Sequence, residues 1–191
     1  DTIVPQSNNT KGQIMYHIKQ DKRAQASVKL ICDGLGKCLE QKKFEDISIS
    51  DIQRVSGVSR STFYRNFDRM EDVLSLMCDE VFREAFSLRH ENISEAVFMA
   101  WSRHAGLIET IVGIKRSDML YDSLRRCASA LRGELPFLGD TALFDYMASI
   151  IASAMMGIMV TWVERGRRES EQELKEMILT SFKAMKYIGL E

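Results

Sequence analysis

Proline is almost missing from this chain: in 191 residues it occurs at Pro5 and Pro136 alone. Without the residue that breaks helices from within, long uninterrupted helices are open to the chain, and its Leu, Ala, Met, Glu and Lys favour them. Cysteine is scarce, and its spacing is unpaired. Cys32, Cys38, Cys78 and Cys127 form no zinc-ligand or redox motif. Cys32 and Cys38, six residues apart, would not easily pair on one helix, so all four read as free thiols of a reducing cytoplasm. No secretory leader is visible. Glycine-rich phosphate loops, nucleophile elbows and paired-histidine zinc helices are all lacking, and His17, His90 and His104 lie far apart. These absences argue against an enzyme and give no catalytic residue, metal ligand or cofactor site.

An excess of one charge is lacking too, with 26 Lys and Arg against 27 Asp and Glu. The distribution is less even. Residues 1–69 hold 12 basic and 8 acidic side chains, a net of +4, and the rest carry a net of −5. A mildly basic front and an acidic back suit a chain with one end on phosphates. From Tyr146 to Val163 no residue is charged, which approaches the length of a membrane span. Asp145 and Glu164-Arg165 bound that segment closely, and Ser149, Ser153 and Thr161 interrupt it. It reads as a helix covered on both faces by protein, and no membrane is expected.

The expected fold class is all-α. Residues 1–20, polar and aperiodic, form a flexible arm or an appended remnant. A first helix spans about Asp21 to Lys42, with Ala24, Val28, Ile31, Leu35 and Leu39 at helical spacing. Gly34 and Gly36 within it each cost about 1 kcal/mol relative to alanine, and a close helix crossing would explain them. Phe44, Ile47, Ile49 and Ile52 fill a small core. Asp68 and Glu71 have capping-box spacing at the head of a long helix running toward Phe86. Ser94, Ser117 and Asp140 suggest caps for helices near 94–114, 117–133 and 140–165, with breaks at Gly106 or Gly113 and a loop at Pro136 and Gly139. Ser170 opens the last helix.

The densest information lies between Ser48 and Phe67. Ser50 precedes Asp51-Ile52-Gln53 at capping-box spacing, Gly57-Val58 marks a tight turn, and Ser59 can cap a second short helix. That second helix puts Phe63 and Phe67 on one side and Arg60, Ser61, Tyr64, Arg65 and Asn66 on the other. A short helix, a glycine turn and a donor-rich helix make a helix-turn-helix, a shape that suits the major groove. With Ile47 and Ile52 before it and Leu74 after it, the string Val58-Ser59-Arg60-Ser61-Thr62-Phe63-Tyr64-Arg65-Asn66-Phe67 resembles the DNA-binding domain of the tetracycline-repressor (TetR) family. The resemblance is close over about residues 22–82 and architectural beyond. It implies an arm at 1–20, a DNA-binding domain at 21–68 and a ligand-binding and dimerisation domain at 69–191. It also implies a cytoplasmic, nucleoid-associated bacterial regulator.

Arg60 is the leading candidate for a base contact, because a guanidinium can bridge guanine O6 and N7. Ser61 and Arg65 follow. Tyr64, Thr62 and Ser50 suit phosphates, and the resemblance supports Tyr64 and Thr62 there; Ser59, Asn66 and Arg69 complete the set. Relatives usually carry histidine where Asn66 stands, and many carry a phosphate-binding lysine where Met70 stands, with Arg69 adjacent. Between Phe144 and Trp162 apolar residues cover nearly the whole helix circumference. Ser149, Ser153 and Gly157 form a strip of small residues beside Met155, Met159 and Trp162. With Met177, Ile178, Phe182 and Met185 of the final helix they suggest a four-helix interface in a homodimer, as the resemblance also implies. The resemblance further implies a pocket for a small apolar or aromatic effector, with Phe98, Met99, Trp101, His104, Met119, Tyr121, Phe137, Tyr146 and Met147 as candidate lining. The expected function is a ligand-released repressor on a palindromic operator. A TetR-like co-regulator that has lost operator binding stands as the alternative.

Overall fold

The computed structural model describes residues 16–19, 21–87, 99–130, 141–185 and 187. The side chains of several residues at helix ends, Phe86, Phe182 and Met185 among them, lie outside that description, as do the expected caps and loop residues Ser94, Pro136, Gly139 and Asp140. Among the described residues the regular structure is helical, with an isolated antiparallel bridge between Tyr16 and Phe67.

Helix α1 (Lys22–Leu39) starts where Asp21 accepts the backbone amides of Arg23 and Ala24, at 3.0 and 2.8 Å. It buries Val28, Ile31, Cys32, Leu35 and Cys38, and it ends three residues before the expected Lys42. Of its two glycines, Gly34 has the steric reason. A Cβ there would lie 2.9 Å from the Cβ of Ser56, so α1 and the next helix cross at a distance that only glycine permits. At Gly36 the nearest atom would be 4.0 Å away, and no close crossing accounts for it.

After a 3-10 turn at Phe44–Asp46, α2 (Ile49–Ser56) opens at Ser48. The Ser48 hydroxyl accepts from the Asp51 amide at 3.2 Å, and the Asp51 carboxylate accepts from the Ser48 amide at 3.0 Å. The expected cap at Ser50 is thus corrected. The Asp three residues after Ser48 completes the reciprocal pair, and Ser50 falls inside the first turn. Gly57 closes α2 with φ of 72°, a left-handed conformation that glycine adopts without a Cβ penalty. Helix α3 (Arg60–Asn66) is capped by Ser59, whose hydroxyl accepts from the Thr62 amide at 3.2 Å.

Helix α4 (Met70–Ser87) opens one residue later than Asp68-Glu71 suggested, with the Asp72 carboxylate accepting from the Arg69 amide at 2.8 Å. Helical residues 99–103 are separated by a break at His104 from α5 (Ala105–Gly113), so the interruption falls at His104 rather than at Gly106. Then follow α6 (Ser117–Ala130), α7 (Thr141–Glu164) and α8 (Glu171–Met185). Ser117 is the first helical residue of α6, and Ser170 caps α8 through a reciprocal pair with Glu173.

One continuous apolar cluster runs from Val28 of α1 through Val73, Leu74 and Phe82 of α4 to Leu120 of α6 and Met159 of α7. Helix α4 is its spine, packing on both α1 and α6. The four cysteines are free. Burial pushes the Cys32, Cys78 and Cys127 thiols up, that of Cys127 to about 12, so they stay protonated at neutral pH. Residues Ala142–Glu164 are long and apolar enough to cross a membrane by length and composition, yet only 22 % of that window is buried in the protomer. The expectation of a helix covered on both faces is therefore not met within one chain. Phe144, Ala148, Ala152, Met159 and Trp162 point inward, while Leu143, Tyr146, Ile150 and Ile151 face outward.

Candidate nucleic-acid interface

In the head, formed by α1, α2 and α3, the face richest in donors depends on how α3 is fixed. Phe63 and Phe67 are buried with ring centroids 5.8 Å apart, wedged into the core beneath α1 and α2. Anchoring one side in this way leaves Arg60, Ser61, Tyr64 and Arg65 exposed on the other, with Thr62 half-buried between them. No acid lies on α3. Tyr64 stands edge-on to Phe63, at 5.6 Å and 84°, which fixes its ring while leaving it 45 % exposed. The Arg60 guanidinium lies 5.6 Å above the Tyr64 ring, and its Nη2 donates to the Tyr64 hydroxyl at 3.4 Å. A cation stacked on an aromatic face holds a restricted orientation, so Arg60 is partly ordered before any ligand arrives.

The hydroxyls at the helix start form a cluster. Ser59 Oγ lies 3.0 Å from Ser61 Oγ and 2.9 Å from Thr62 Oγ1, at the end of α3 where backbone N–H groups point outward. Ser50 is exposed on the first turn of α2, and Arg69 is exposed with one nitrogen 3.8 Å from Asp72. Asn66 needs a correction. It is 2 % exposed, and its Nδ2 donates to the Thr62 carbonyl at 2.8 Å, so it locks the last turn of α3 and leaves the donor face.

Sequence reasoning missed two features. Lys42, before α2, and Arg54, in its last turn, both reach Asp51 at 2.9 and 2.7 Å, placing two cations beside the first turn of that helix. The arm was expected to be flexible to residue 20, yet residues 16–19 are laid against the end of α3. The His17 amide donates to the Asn66 carbonyl at 2.8 Å, His17 Nε2 lies 3.3 Å from Asp68, and Tyr16 and Ile18 pack on the core. A run in which four of five residues are apolar, Ile14, Met15, Tyr16 and Ile18, was the available signal.

The candidate pocket residues do not converge. Trp101 and Met119 are buried, Met147 is half-buried, and Tyr121 is half-buried beneath the Arg125 guanidinium, 6.0 Å from its ring. His104 Nε2 lies 3.3 Å from Glu84. Met99 and Tyr146 are corrected, since both are exposed, Tyr146 by 73 %; Phe98 and Phe137 lie outside the described residues. A cleft of about 460 Å³ between α1, α4 and α5 is lined by Met77, Val81, Glu84, His104 and Leu107, among others, and takes in only His104 of the expected set.

At the other end, a second cleft of about 530 Å³ runs between α7 and α8, bordered by Gly157, Trp162, Met177 and Ile178. Of the residues expected to meet a partner chain, Ser153, Gly157 and Met177 are exposed, and Ser149, Met155 and Ile178 are half-buried. Met159 and Trp162 are corrected. They are buried inside the protomer, where Trp162 Nε1 donates to the Glu169 carbonyl at 3.1 Å. The outward face instead carries Leu143, Tyr146, Ile150, Ile151 and Leu179.

Comparison with known proteins bears on both ends. Residues 89–184 match the family model of the TetR-type transcriptional regulator C-terminal region. Over 49 residues the chain is 43 % identical to the HTH-type transcriptional regulator EthR of Mycolicibacterium smegmatis, a stretch of 26 % of this chain and 23 % of that protein. The match thus spans under a quarter of the relative's length. The fold is similar to that of the dihydroxyacetone kinase operon activator DhaS, with a TM-score of 0.59 at 18 % identity, covering 85 % of this chain and 97 % of that one. At that identity the likeness concerns the fold alone.

Proposed function

The chain belongs to the TetR family of transcriptional regulators, and on that premise we propose that it binds a palindromic DNA operator as a homodimer, represses the genes there and is released by a small apolar or aromatic effector. The observation that carries this reading is the face of α3, where Arg60, Ser61, Tyr64 and Arg65 are exposed on a helix fixed from behind by Phe63 and Phe67. In a major groove Arg60 would meet base edges, where a bidentate contact to guanine discriminates. The Ser59, Ser61 and Thr62 hydroxyls, the Tyr64 hydroxyl, Lys42, Arg54 and Arg69 would meet phosphates and set the register.

The exposed apolar face of α7 and α8 supports the second half of the reading, with pairing through it. Such pairing would cover Tyr146, Ile150 and Ile151, and it would present two α3 helices to half-sites roughly 34–36 Å apart. A dimer seated there obstructs transcription, hence repression. An effector within the body would act by favouring a spacing of the heads that fits the operator less well, which requires tighter binding to the DNA-free state. The proposed setting is the bacterial cytoplasm, at the nucleoid.

The test is binding to duplexes selected from a random pool, across a range of salt. Affinity should fall steeply as salt rises, because each phosphate contact releases counterions. Arg60→Ala should cost about 1–3 kcal/mol and relax preference at one position in each half-site. Tyr64→Phe should weaken all sequences alike. Weak binding that is flat across salt would favour a co-regulator acting without an operator.

A further inference from the structure

Asp79, on α4, is 4 % exposed, yet its carboxylate gathers three donor side chains from two distant parts of the chain. The Tyr16 hydroxyl donates to Oδ2 at 2.7 Å, and the Ser123 hydroxyl of α6 donates to Oδ1 at 2.5 Å. Arg126, also on α6, donates through Nη2 to Oδ1 at 2.8 Å and through Nε to both oxygens at 3.2 Å. Burial first, and then the Asp79 charge, push the Tyr16 phenol above its ordinary value, so it remains a donor throughout the physiological range.

The other side of Tyr16 faces the recognition helix. Its backbone forms the bridge to Phe67, its ring lies 6.5 Å from the Phe67 ring at 62°, and the next amide, that of His17, donates to the Asn66 carbonyl. A single side chain therefore joins the end of α3 to a buried carboxylate whose remaining partners all sit on α6. Tyr16, Ser123 and Arg126 share the two oxygens of one carboxylate that water does not reach, so a displacement of α6 along α4 alters the bond on which Tyr16 depends.

We propose that Tyr16 is a positioning residue for the recognition helix and that Asp79 is the joint through which helix α6 sets its stability. The body thereby acts on α3 from its C-terminal end as well as along α4. This inference rests on the operator-binding reading for its biological sense, while the coupling itself can be measured without DNA. Spatial continuity alone does not establish coupling, so the test asks whether a change on α6 is felt in the head.

Amide hydrogen exchange would be followed on the full chain for wild type, Tyr16→Phe, Arg126→Met and the double variant. Tyr16→Phe should speed exchange across residues 59–69 by about three- to tenfold, the range expected for one lost hydrogen bond, with α7 and α8 unchanged. Among the described residues Arg126 makes no hydrogen bond or ion pair with residues 59–69, yet Arg126→Met should speed the same amides, and the double variant should add little to the larger single effect. Ser123→Ala, a milder change, serves where Arg126→Met does not fold, and it is read in the same way. Unchanged exchange at 59–69 in the α6 variants, additive effects in the double variant, or equal acceleration in every helix would each overturn the proposal. On duplexes selected by the wild-type chain, Tyr16→Phe should lower affinity by a similar factor without changing the preferred sequence; an altered preference would count against it. Should the wild-type chain bind no duplex, the operator reading fails while the exchange result still decides the coupling.

Discussion

In the head, Ile31, Leu35, Ile52, Phe63 and Phe67 are all buried, whereas on α7 and α8 Tyr146 is 73 % and Ile150 68 % exposed, with Leu143, Met177 and Leu179 beside them. Both regions are helical, so the contrast lies in what completes them. The head closes its core within one chain and turns hydroxyls and guanidinium groups outward, a surface that is stable in water and favourable beside phosphate. The last two helices leave an apolar face whose area has no use in water. A surface of that kind gains stability when a second body covers it.

The contrast can be broken from either side, and the largest effect should come from the head. Phe67→Ala should cost about 3–5 kcal/mol in denaturant-induced unfolding, whereas Ile150→Ala should leave single-chain stability within about 0.5 kcal/mol. Next in size, Ile150→Asp combined with Tyr146→Asp should weaken self-association by about 2–4 kcal/mol in sedimentation equilibrium while the circular dichroism spectrum stays helical. An unchanged association constant would mean that this face is covered by something other than a second copy.

Smaller effects sharpen the account of the head. Gly34→Ala should destabilise by about 1–3 kcal/mol, because its Cβ meets that of Ser56 and two backbones must separate. Gly36→Ala, whose Cβ would meet nothing nearer than the Met77 methyl at 4.0 Å, should gain about 0.5–1 kcal/mol from helix propensity. Equal effects at the two positions in thermal melts would remove the close crossing from the explanation. The smallest effect concerns pH. The Ser48 amide, and then Lys42, hold the Asp51 carboxyl well below the usual carboxylate range. A depressed group contributes stability above its unfolded value and loses it as pH falls through its folded one. The cap on α2 should therefore persist through mild acid and fail only at the acid extreme, and an NMR titration of the Asp51 carboxyl checks this.

How much was legible in the sequence follows the same division. Local chemistry was readable. Ser59, Gly57 and the Phe63–Phe67 spacing state the helix-turn-helix directly, because caps, left-handed glycines and four-residue spacing act over a single turn. The cap on α2 was misplaced by two residues because Ser48 and Ser50 both offer a hydroxyl with a polar residue three positions on. Only packing decides which of them starts the helix. Non-local facts were less legible. Asn66 looked like one more donor, yet it turns inward to bond the Thr62 carbonyl. Met159 and Trp162 looked like partner-facing bulk, yet they fill the protomer, because a helix apolar on every side does not announce which side faces home. Tyr16 drew no attention at all, since its partners Phe67, Asp79 and, through Asp79, Arg126 are distant in sequence.

The central claim, that α3 reads DNA and is presented twice by a symmetric pair, is tested most directly by selecting bound fragments from random duplexes with the full chain. The account predicts an enriched inverted repeat whose half-site centres lie about one helical turn, or a whole multiple, apart. Enrichment of a single unpaired half-site, or of no sequence at all, would contradict it.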